Sequence, residues 1–169
     1  HFAAKNCIND CQLDPFETAK INILGTVNIF EACKLSNVKK VIYAESSAIY
    51  EGVSIFPTSE ENEKPESYYA LSKLSTKLFA SAYKKFSGLN MVGLRYFNVY
   101  GPRQDYRRSI PPLMSAIIIK LLNGQQPTIY GDGTKRRDFI FIDDVNIFHE
   151  LLININTIEY GTYNVGYGT

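Results

Sequence analysis

Val41-Ile42-Tyr43-Ala44 is a short, wholly apolar run that leads directly into the polar residues Glu45-Ser46-Ser47. A run of this kind fits a strand of a parallel sheet that is buried on both faces. Open α/β sheets bind their ligands at the carboxyl ends of the strands, which is where these polar side chains fall. The run therefore predicts an α/β fold and a candidate site directly after Ala44.

A helix is predicted on each side of this strand. Upstream, Asp14 is a suitable N-cap and Pro15 suits the first helical position, which predicts a helix over about 15–36. Its apolar residues recur at helical spacing: Phe16, Ile23, Val27 and Phe30. Downstream, a polar loop over 51–66 precedes a second helix over about 67–86, which Gly88 ends.

Strands and helices continue to alternate along the chain. Further strands are predicted at 91–96, 129–130 and 139–142, and residues 1–4 read as the tail of a strand. Further helices are predicted at 112–122 and, capped by Asp143 or Asp144, up to about 155. The alternation favours a mostly parallel sheet, and the loop-rich pattern from about residue 99 suggests a substrate-binding lobe.

Composition excludes several classes of protein. The chain has 169 residues, 45% of them hydrophobic and 21% charged, which fits a soluble globular protein. The net charge of +1 shows no electrostatic footprint for nucleic acid, and no apolar run approaches the roughly 20 residues that span a bilayer. We expect no nucleic-acid partner and no membrane contact.

The cysteines and the chain ends suggest where the protein works and how much of it is present. Three cysteines without a secretory signal predict reduced thiols in a cytoplasmic protein. No metal is expected, because Cys7 and Cys11 would need further ligands and the only histidines are His1 and His149. The missing initiator Met and the strand-like run before Thr169 suggest a piece of a longer protein.

Tyr69 and Lys73 are the residues best suited to catalysis. Residues four apart on a helix share a face, so the phenol and the ammonium can point into one site. A free phenol has a pKa of about 10, and a nearby cation lowers it by favouring phenolate. The spacing alone arises by chance about once in a chain this rich in Tyr and Lys, so a solvated helix face is the alternative.

Several motifs occur in a fixed order, and together they carry a family resemblance. They are His1-Phe2-Ala3-Ala4, Asn22 with Gly25-Thr26, Ser46-Ser47-Ala48-Ile49-Tyr50, Tyr69-x-x-x-Lys73, the run from Arg95 to Gln104, Ile129-Tyr130-Gly131-Asp132-Gly133 and Arg137-Asp138-Phe139. This order resembles the extended short-chain dehydrogenase/reductase family in its nucleotide-sugar epimerase branch, closest to the UDP-glucose 4-epimerases. The resemblance covers essentially the whole chain.

The resemblance implies a partial Rossmann-like doubly wound sheet and NAD as the cofactor. Family members begin with a Gly-rich turn that cradles the NAD pyrophosphate, and no Gly-x-x-Gly-x-x-Gly occurs in this chain. We therefore expect the N-terminal strands of the sheet to be missing. Residues 1–98 would be the C-terminal part of the NAD-binding domain. Residues 99–169 would be mostly the smaller substrate-binding lobe, with a return to the sheet.

The resemblance also implies roles for individual residues. Tyr69 matches the base that takes the sugar hydroxyl proton. Lys73 matches the residue that holds the nicotinamide ribose and lowers the tyrosine pKa. Ser46 matches the group that hydrogen-bonds the reacting oxygen, with a turn role as its alternative.

The remaining candidate residues divide between cofactor and substrate. Ala3, Ala4 and Asn22 match cofactor-binding positions; sheet packing for the alanines and a helix–sheet bridge for Asn22 are equally good interpretations. The substrate-binding candidates are Ser46, Ser47, Asn98, Tyr130 and Arg137. An ion pair of Arg137 with Asp138 or Asp144 is the alternative there.

The residues after Ser46 favour one reaction over its relatives. Dehydratases and decarboxylases of the family carry carboxyl groups in this segment, but Ser47 and Ala48 cannot trade a proton as a carboxyl can. The expected activity is therefore a nucleotide-sugar 4-epimerase acting on UDP-glucose and UDP-galactose or their N-acetyl forms. UDP-glucuronate 4-epimerisation, another reaction of the family, and a catalytically silent binding or regulatory relative remain alternatives.

The resemblance also implies an oligomeric state. Members commonly dimerise through the two long helices, here near 15–36 and 67–86, so a homodimer is expected.

The chain departs from the family pattern at several positions. Glu45 stands where the family usually has a small residue or Ser, and Glu51 separates Tyr50 from Gly52. Residues 5–13 also depart from the family pattern.

Overall fold

The computed structural model describes residues 1–108, 110–129, 131–155, 157–158 and 160–168. It divides into two compact units, His1–Phe97 with Ile155–Val165, and Asn98–Asn154 with Gly166–Thr169. In chain order the described elements are α1 (Ile8–Leu13), α2 (Pro15–Thr18), a π-helical segment (Ala19–Leu24), α3 (Gly25–Leu35), β1 (Lys40–Ser46), a 3-10 turn (Ser47–Tyr50), α4 (Tyr68–Ser87), β2 (Asn90–Tyr96), β3 (Asn98–Tyr100), α5 (Leu113–Leu122), β4 (Phe139–Phe141), α6 (Ile142–Asn154) and β5 (Gly161–Val165).

Three parallel strands form the sheet of the first unit, in the order β1-β2-β5. The register pairs Ser46 with Tyr96, and Tyr96 with Val165, so the three strands reach the same edge together. Because parallel strands direct their carboxyl ends to one edge, polar residues that follow them are brought close together. The predicted parallel α/β fold is confirmed.

The helix predicted over 15–36 is found as α2, the π-helical segment and α3. The Asp14 carboxylate accepts a hydrogen bond from the Glu17 amide at 2.9 Å, which confirms Asp14 as the N-cap. The predicted apolar face is wrong at Phe16, which is 79% exposed. The buried residues recur every four positions instead, through the π-helical segment and along the stretch that packs against α4: Thr18, Asn22, Thr26 and Phe30.

Helix α4 agrees with the prediction at both ends. Ser67 is its N-cap and accepts from the Ala70 amide at 3.1 Å. Gly88 ends it in the left-handed conformation with φ +68°, which a residue without Cβ adopts easily. Its buried face packs against β1 and β2, and the main core cluster is Phe30, Val41, Tyr43, Ala80, Leu89 and Met91.

The first unit differs from the prediction at its start and agrees with it at its end. Residues 1–4 are not a strand, although His1 hydrogen-bonds β1 through Ile42 O at 2.7 Å and Ala44 N at 3.0 Å. The short helix α1 was not predicted, since six residues carry little periodic signal. Strand β5 ends at Val165, in keeping with the strand-like run seen there.

The second unit contains a parallel pair of short strands and two helices. β3 pairs with β4 from Asn98 with Phe139 to Tyr100 with Phe141. Helix α5 confirms the prediction near 112–122. Helix α6 begins at Ile142, so the predicted cap at Asp143 or Asp144 is wrong, and both carboxylates lie in its first turn.

The predicted strand at 129–130 is also wrong at residue 129. Ile129 belongs to no strand, and Tyr130 lies outside the described residues. The run Gly131-Asp132-Gly133 turns the chain with positive φ at both glycines, as predicted. Among the described residues, no helix is both long and apolar enough to cross a membrane.

Candidate active site

Lys73 is a buried cation on the inner face of α4. Its side chain is nearly inaccessible, with the residue 6% exposed, and its Nζ donates to the Ala44 carbonyl oxygen at 2.9 Å. Burial lowers the pKa of Lys73 to about 8, while the charge of Glu45, and to a smaller extent Cys11, opposes that shift. The ammonium is thus poorly solvated and can act strongly on a neighbouring group.

Tyr69 lies beside this ammonium in the first turn of α4. It is buried, and Lys73 Nζ lies 5.9 Å from the centroid of its ring. The helix places the two side chains on one face because they are four residues apart. The alternative of a solvated helix face therefore does not hold for this pair.

Ser46 is the last residue of β1, and its hydroxyl oxygen accepts from the Ala48 amide at 3.2 Å. This contact caps the 3-10 turn that follows, so the turn role suggested by the sequence is present. The contact uses the oxygen only as an acceptor, so the hydroxyl can still donate to another oxygen. Ser47 lies half-buried in the same turn.

Asn22 lies in the π-helical segment and is almost fully buried. Its Oδ1 accepts from the Lys5 amide at 2.7 Å, and its Nδ2 donates to Lys5 O and to Ser72 Oγ, each at 3.0 Å. The side chain thereby ties residue 5 to α4, one residue before Lys73. Ala3, which is exposed, and Ala4, which is half-buried, lie just before this anchor.

The substrate candidates of the second unit have contacts of their own. The Asn98 backbone amide and its Nδ2 both donate to Asp138 O, at 3.0 and 2.8 Å. Arg137 is exposed and donates to Arg136 O at 3.1 Å; within the described chain it forms no ion pair with Asp138 or Asp144. Tyr130 lies outside the described residues.

A buried charge network behind the site was not predicted from the sequence. Arg95 is fully buried, and its Nε donates to Glu45 Oε2 at 2.7 Å. Its other nitrogens reach Tyr50 Oη at 2.7 Å and the Glu63 carboxylate. The available signal was Glu45, a charged residue at the end of an apolar strand.

Comparison with known families establishes to which protein family the chain belongs. Residues 1–166 match the family described as the NAD dependent epimerase/dehydratase family. The chain belongs to this family. The resemblance drawn from its motifs is thereby confirmed.

Three solved structures of the same lineage superpose closely on the chain. A UDP-N-acetylglucosamine 4-epimerase from Methanobrevibacter ruminantium M1, in complex with UDP-N-acetylmuramic acid, is 36% identical with a TM-score of 0.95, over 99% of this chain and 55% of that one. A UDP-glucose 4-epimerase from Thermotoga maritima, with UDP-glucose, is 34% identical with a TM-score of 0.91, over 99% and 55%. A UDP-glucuronic acid 4-epimerase from Bacillus cereus, with UDP-glucuronic acid and NAD, is 32% identical with a TM-score of 0.87, over 97% and 52%.

The chain spans about half the length of the curated relatives it matches, between 44% and 50% for the first four. The part of the family that this chain represents includes the helix with Tyr69 and Lys73, the ends of the neighbouring strands, and the second unit.

Proposed function

We propose that the whole protein is an NAD-dependent nucleotide-sugar 4-epimerase that acts on UDP-glucose and UDP-galactose or their N-acetyl forms. The observation that carries the proposal is the buried Lys73 ammonium beside Tyr69, on a helix that packs against the strand ending in Ser46. Family membership supports the cofactor, and the named relatives support the substrate class.

The chain's own residues perform the proton chemistry of this proposal. Tyr69, as phenolate, accepts the proton of the sugar C4 hydroxyl and later returns it to the same oxygen. The Lys73 ammonium stabilises the phenolate, because a desolvated cation favours the charged form of a neighbouring acid. The Ser46 hydroxyl donates a hydrogen bond to the reacting oxygen. NAD, when bound, supplies the acceptor and donor of the C4 hydride.

The residues present fit the ribose end of that cofactor. A buried ammonium and a phenol are suited to the ribose hydroxyls, so Lys73 and Tyr69 are the proposed contacts. Ala3 and Ala4 have side chains small enough for close backbone approach. Both ends of the Asn22 amide are engaged by Lys5 and Ser72, so we propose that it supports the cofactor site through those residues.

For the substrate we propose contacts from Ser47 and from the second unit. The Arg137 guanidinium is exposed and suits a diphosphate, since its planar fork meets two phosphate oxygens at once. Asn98 is proposed as a second diphosphate contact and Tyr130 as a contact of the uracil. UDP-glucuronate is the alternative substrate, supported by the Bacillus cereus relative. Ser47 and Ala48, which have no carboxyl group, favour epimerisation over dehydration or decarboxylation.

We also propose a homodimer that works in the cytoplasm. Large apolar side chains stay exposed on the two long helical stretches of the first unit, among them Phe16, Leu24, Leu71, Leu78 and Phe79. Exposed apolar patches of this kind mark association surfaces. The three cysteines form no disulfide, which suits a reducing compartment.

The test is to follow the anomeric NMR signals of UDP-galactose, UDP-N-acetylgalactosamine and UDP-galacturonate with the full-length, NAD-loaded protein. The proposal expects the 4-epimer of the first or second sugar to appear. Conversion of UDP-galacturonate alone would select the glucuronate alternative. A folded protein that binds NAD and converts none of the three would reject the epimerase assignment.

A further inference from the structure

We propose that Glu45 is a positioning residue for this site: its buried carboxylate, held by Arg95, keeps Lys73 in the charged form beside Tyr69. The inference rests on the proposed function, because Glu45 would keep Lys73 protonated and the proposed role of Tyr69 as a base requires that charge.

The Glu45 carboxylate is fixed by donors from all three strands of the sheet. Arg95 Nε on β2 lies 2.7 Å from Oε2. Tyr43 Oη on β1 and Thr162 Oγ1 on β5 donate to Oε1 at 2.8 and 3.0 Å. Within the described residues it is the one buried carboxylate. A buried carboxylate with this many partners has a fixed position and a fixed direction of field.

Lys73 is anchored on the backbone of β1 immediately before Glu45. Its Nζ is bound to the carbonyl oxygen of Ala44, the residue before Glu45 in β1. Burial disfavours the ammonium and lowers the pKa of Lys73 to about 8; the charge of Glu45 is the largest influence in the opposite direction, ahead of Cys11. Without Glu45, Lys73 would lose the largest influence that opposes the effect of burial.

The other charged or titratable groups that face α4 from its neighbours are less suited to this role. The elements packed against α4 carry Asp10 and Cys11 of α1, Glu17 of α2, Lys20 of the π-helical segment, Glu31, Cys33 and Lys34 of α3, Lys40 and Tyr43 of β1, Tyr50 of the 3-10 turn, and Arg95 and Tyr96 of β2, and the His1 amino group also acts on Lys73. Asp10 is exposed, and Glu17 and Glu31 pair with Lys20 and Lys34 at the surface. Arg95 is positive, so losing Glu45 would leave its charge less compensated and disfavour the Lys73 ammonium further.

Glu63 provides a matched control for this proposal. It pairs with the same Arg95 and also with Lys77, but it lies in the loop over 51–66 and is only partly buried. The variant Glu63→Gln therefore loosens Arg95 without removing the carboxylate that follows Ala44. A purely structural network would respond similarly to Glu45→Gln and Glu63→Gln, whereas electrostatic support of Lys73 comes mainly from Glu45 and not from Glu63.

The experiment is an NMR titration of the Lys73 side chain in the full-length protein labelled with 13Cε-lysine, with Lys73→Met identifying the signal. We expect Glu45→Gln to lower the Lys73 midpoint by at least one pH unit, Glu63→Gln to leave it within 0.3 unit, and the alkaline limb of UDP-sugar conversion to follow it. Glu45→Ser is a second neutral variant, and Glu45→Asp, which keeps the charge, should restore the wild-type midpoint.

The outcomes separate this inference from the proposed function. An unchanged midpoint in a folded Glu45 variant, or equal shifts in the Glu45 and Glu63 variants, overturns it. A wild-type midpoint below pH 7 also overturns it, without any variant. A midpoint shift in a protein that converts no UDP-sugar rejects the proposed function, and with it the positioning role. A midpoint shift that the alkaline limb follows supports both.

Discussion

Tyr69 and Lys73 form a candidate catalytic pair because both are buried, whereas their spacing in the sequence alone is weak evidence for a site. Their separation of four residues predicts a shared helix face, but surface pairs have the same separation. In the structure both side chains are buried, burial lowers the pKa of Lys73, and the ammonium lies 5.9 Å from the centroid of the Tyr69 ring. Sequence could supply the pair, whereas the strength of its coupling depends on packing against β1.

Replacing Lys73 by Met keeps the volume of the side chain and removes its charge. We expect UDP-sugar conversion to fall by about a hundredfold or more, because the phenolate form of Tyr69 loses its neighbouring cation. The matched control is Lys77→Met, one helical turn further along α4, which should keep conversion within a few-fold of wild type. Similar losses in both variants would contradict a specific role for Lys73.

The ionisation of Lys73 predicts an alkaline limb in the activity. Its pKa is lowered to about 8, so it is charged below that pH and becomes neutral as the pH rises through it. The stabilisation of phenolate is therefore present on the acid side and lost on the alkaline side. We expect kcat/KM for the UDP-sugar to decline above about pH 8. A profile that stays flat to pH 10 would exclude the role given to Lys73.

Strand β2 shows a constraint that arises only when elements meet. A Cβ on Gly93 would collide with the Glu45 carboxylate and the Tyr43 hydroxyl, which lie over this position from β1. We expect Gly93→Ala to lower the free energy of unfolding by about 1–3 kcal/mol, because the two side chains must move. Gly161→Ala in β5 is the control, since its Cβ would make contacts of 3.4 Å and longer.

Urea unfolding of the two glycine variants measures this difference. If the Gly93→Ala protein were as stable as the Gly161→Ala protein, the Glu45 and Tyr43 side chains would be able to move aside at little cost, which would contradict the prediction. The constraint has no sequence signal, because it depends on the register that pairs Tyr43 with Gly93 and Glu45 with Arg95. Sequence predicted both strands and their parallel sense, but register is set by the packed sheet.

The two long helical stretches of the first unit were predicted well at their ends and less well along their faces, whereas the cap of α6 was wrong. Asp14 and Gly88 act within one turn of the chain, so their roles could be predicted from neighbouring residues. Phe16 was assigned to the apolar face of its helix and is exposed. The π-helical segment explains the difference, since a regular 3.6-residue period was assumed through it.

At the scale of the whole molecule, the exposed apolar side chains predict an assembly. Leu78 on α4 is 61% exposed and belongs to the surface proposed for the homodimer. We expect Leu78→Lys to convert the full-length dimer to a monomer, because a charge cannot be buried there without a partner. The control is Leu151→Lys on α6, which is 53% exposed and lies in the second unit.

Light scattering after size-exclusion chromatography gives the mass of each variant. A monomeric wild-type protein, or dissociation by both substitutions alike, would contradict the proposed surface.

The length of the chain limited what its sequence could establish about the substrate. The motifs indicated the family, but the sugar could not be chosen from them, because the chain spans about half the length of its relatives and those relatives act on different UDP-sugars.

The most direct test of the central claim compares Tyr69→Phe with Tyr68→Phe in the full-length, NAD-loaded protein. The two variants remove a hydroxyl from adjacent positions of α4, but Tyr69 is buried beside Lys73 and Tyr68 is 45% exposed. Following UDP-galactose by NMR, we expect UDP-glucose to form with Tyr68→Phe and conversion to fall by at least a hundredfold with Tyr69→Phe. Conversion retained by a folded Tyr69→Phe protein would show that another group takes the proton, and would contradict the account.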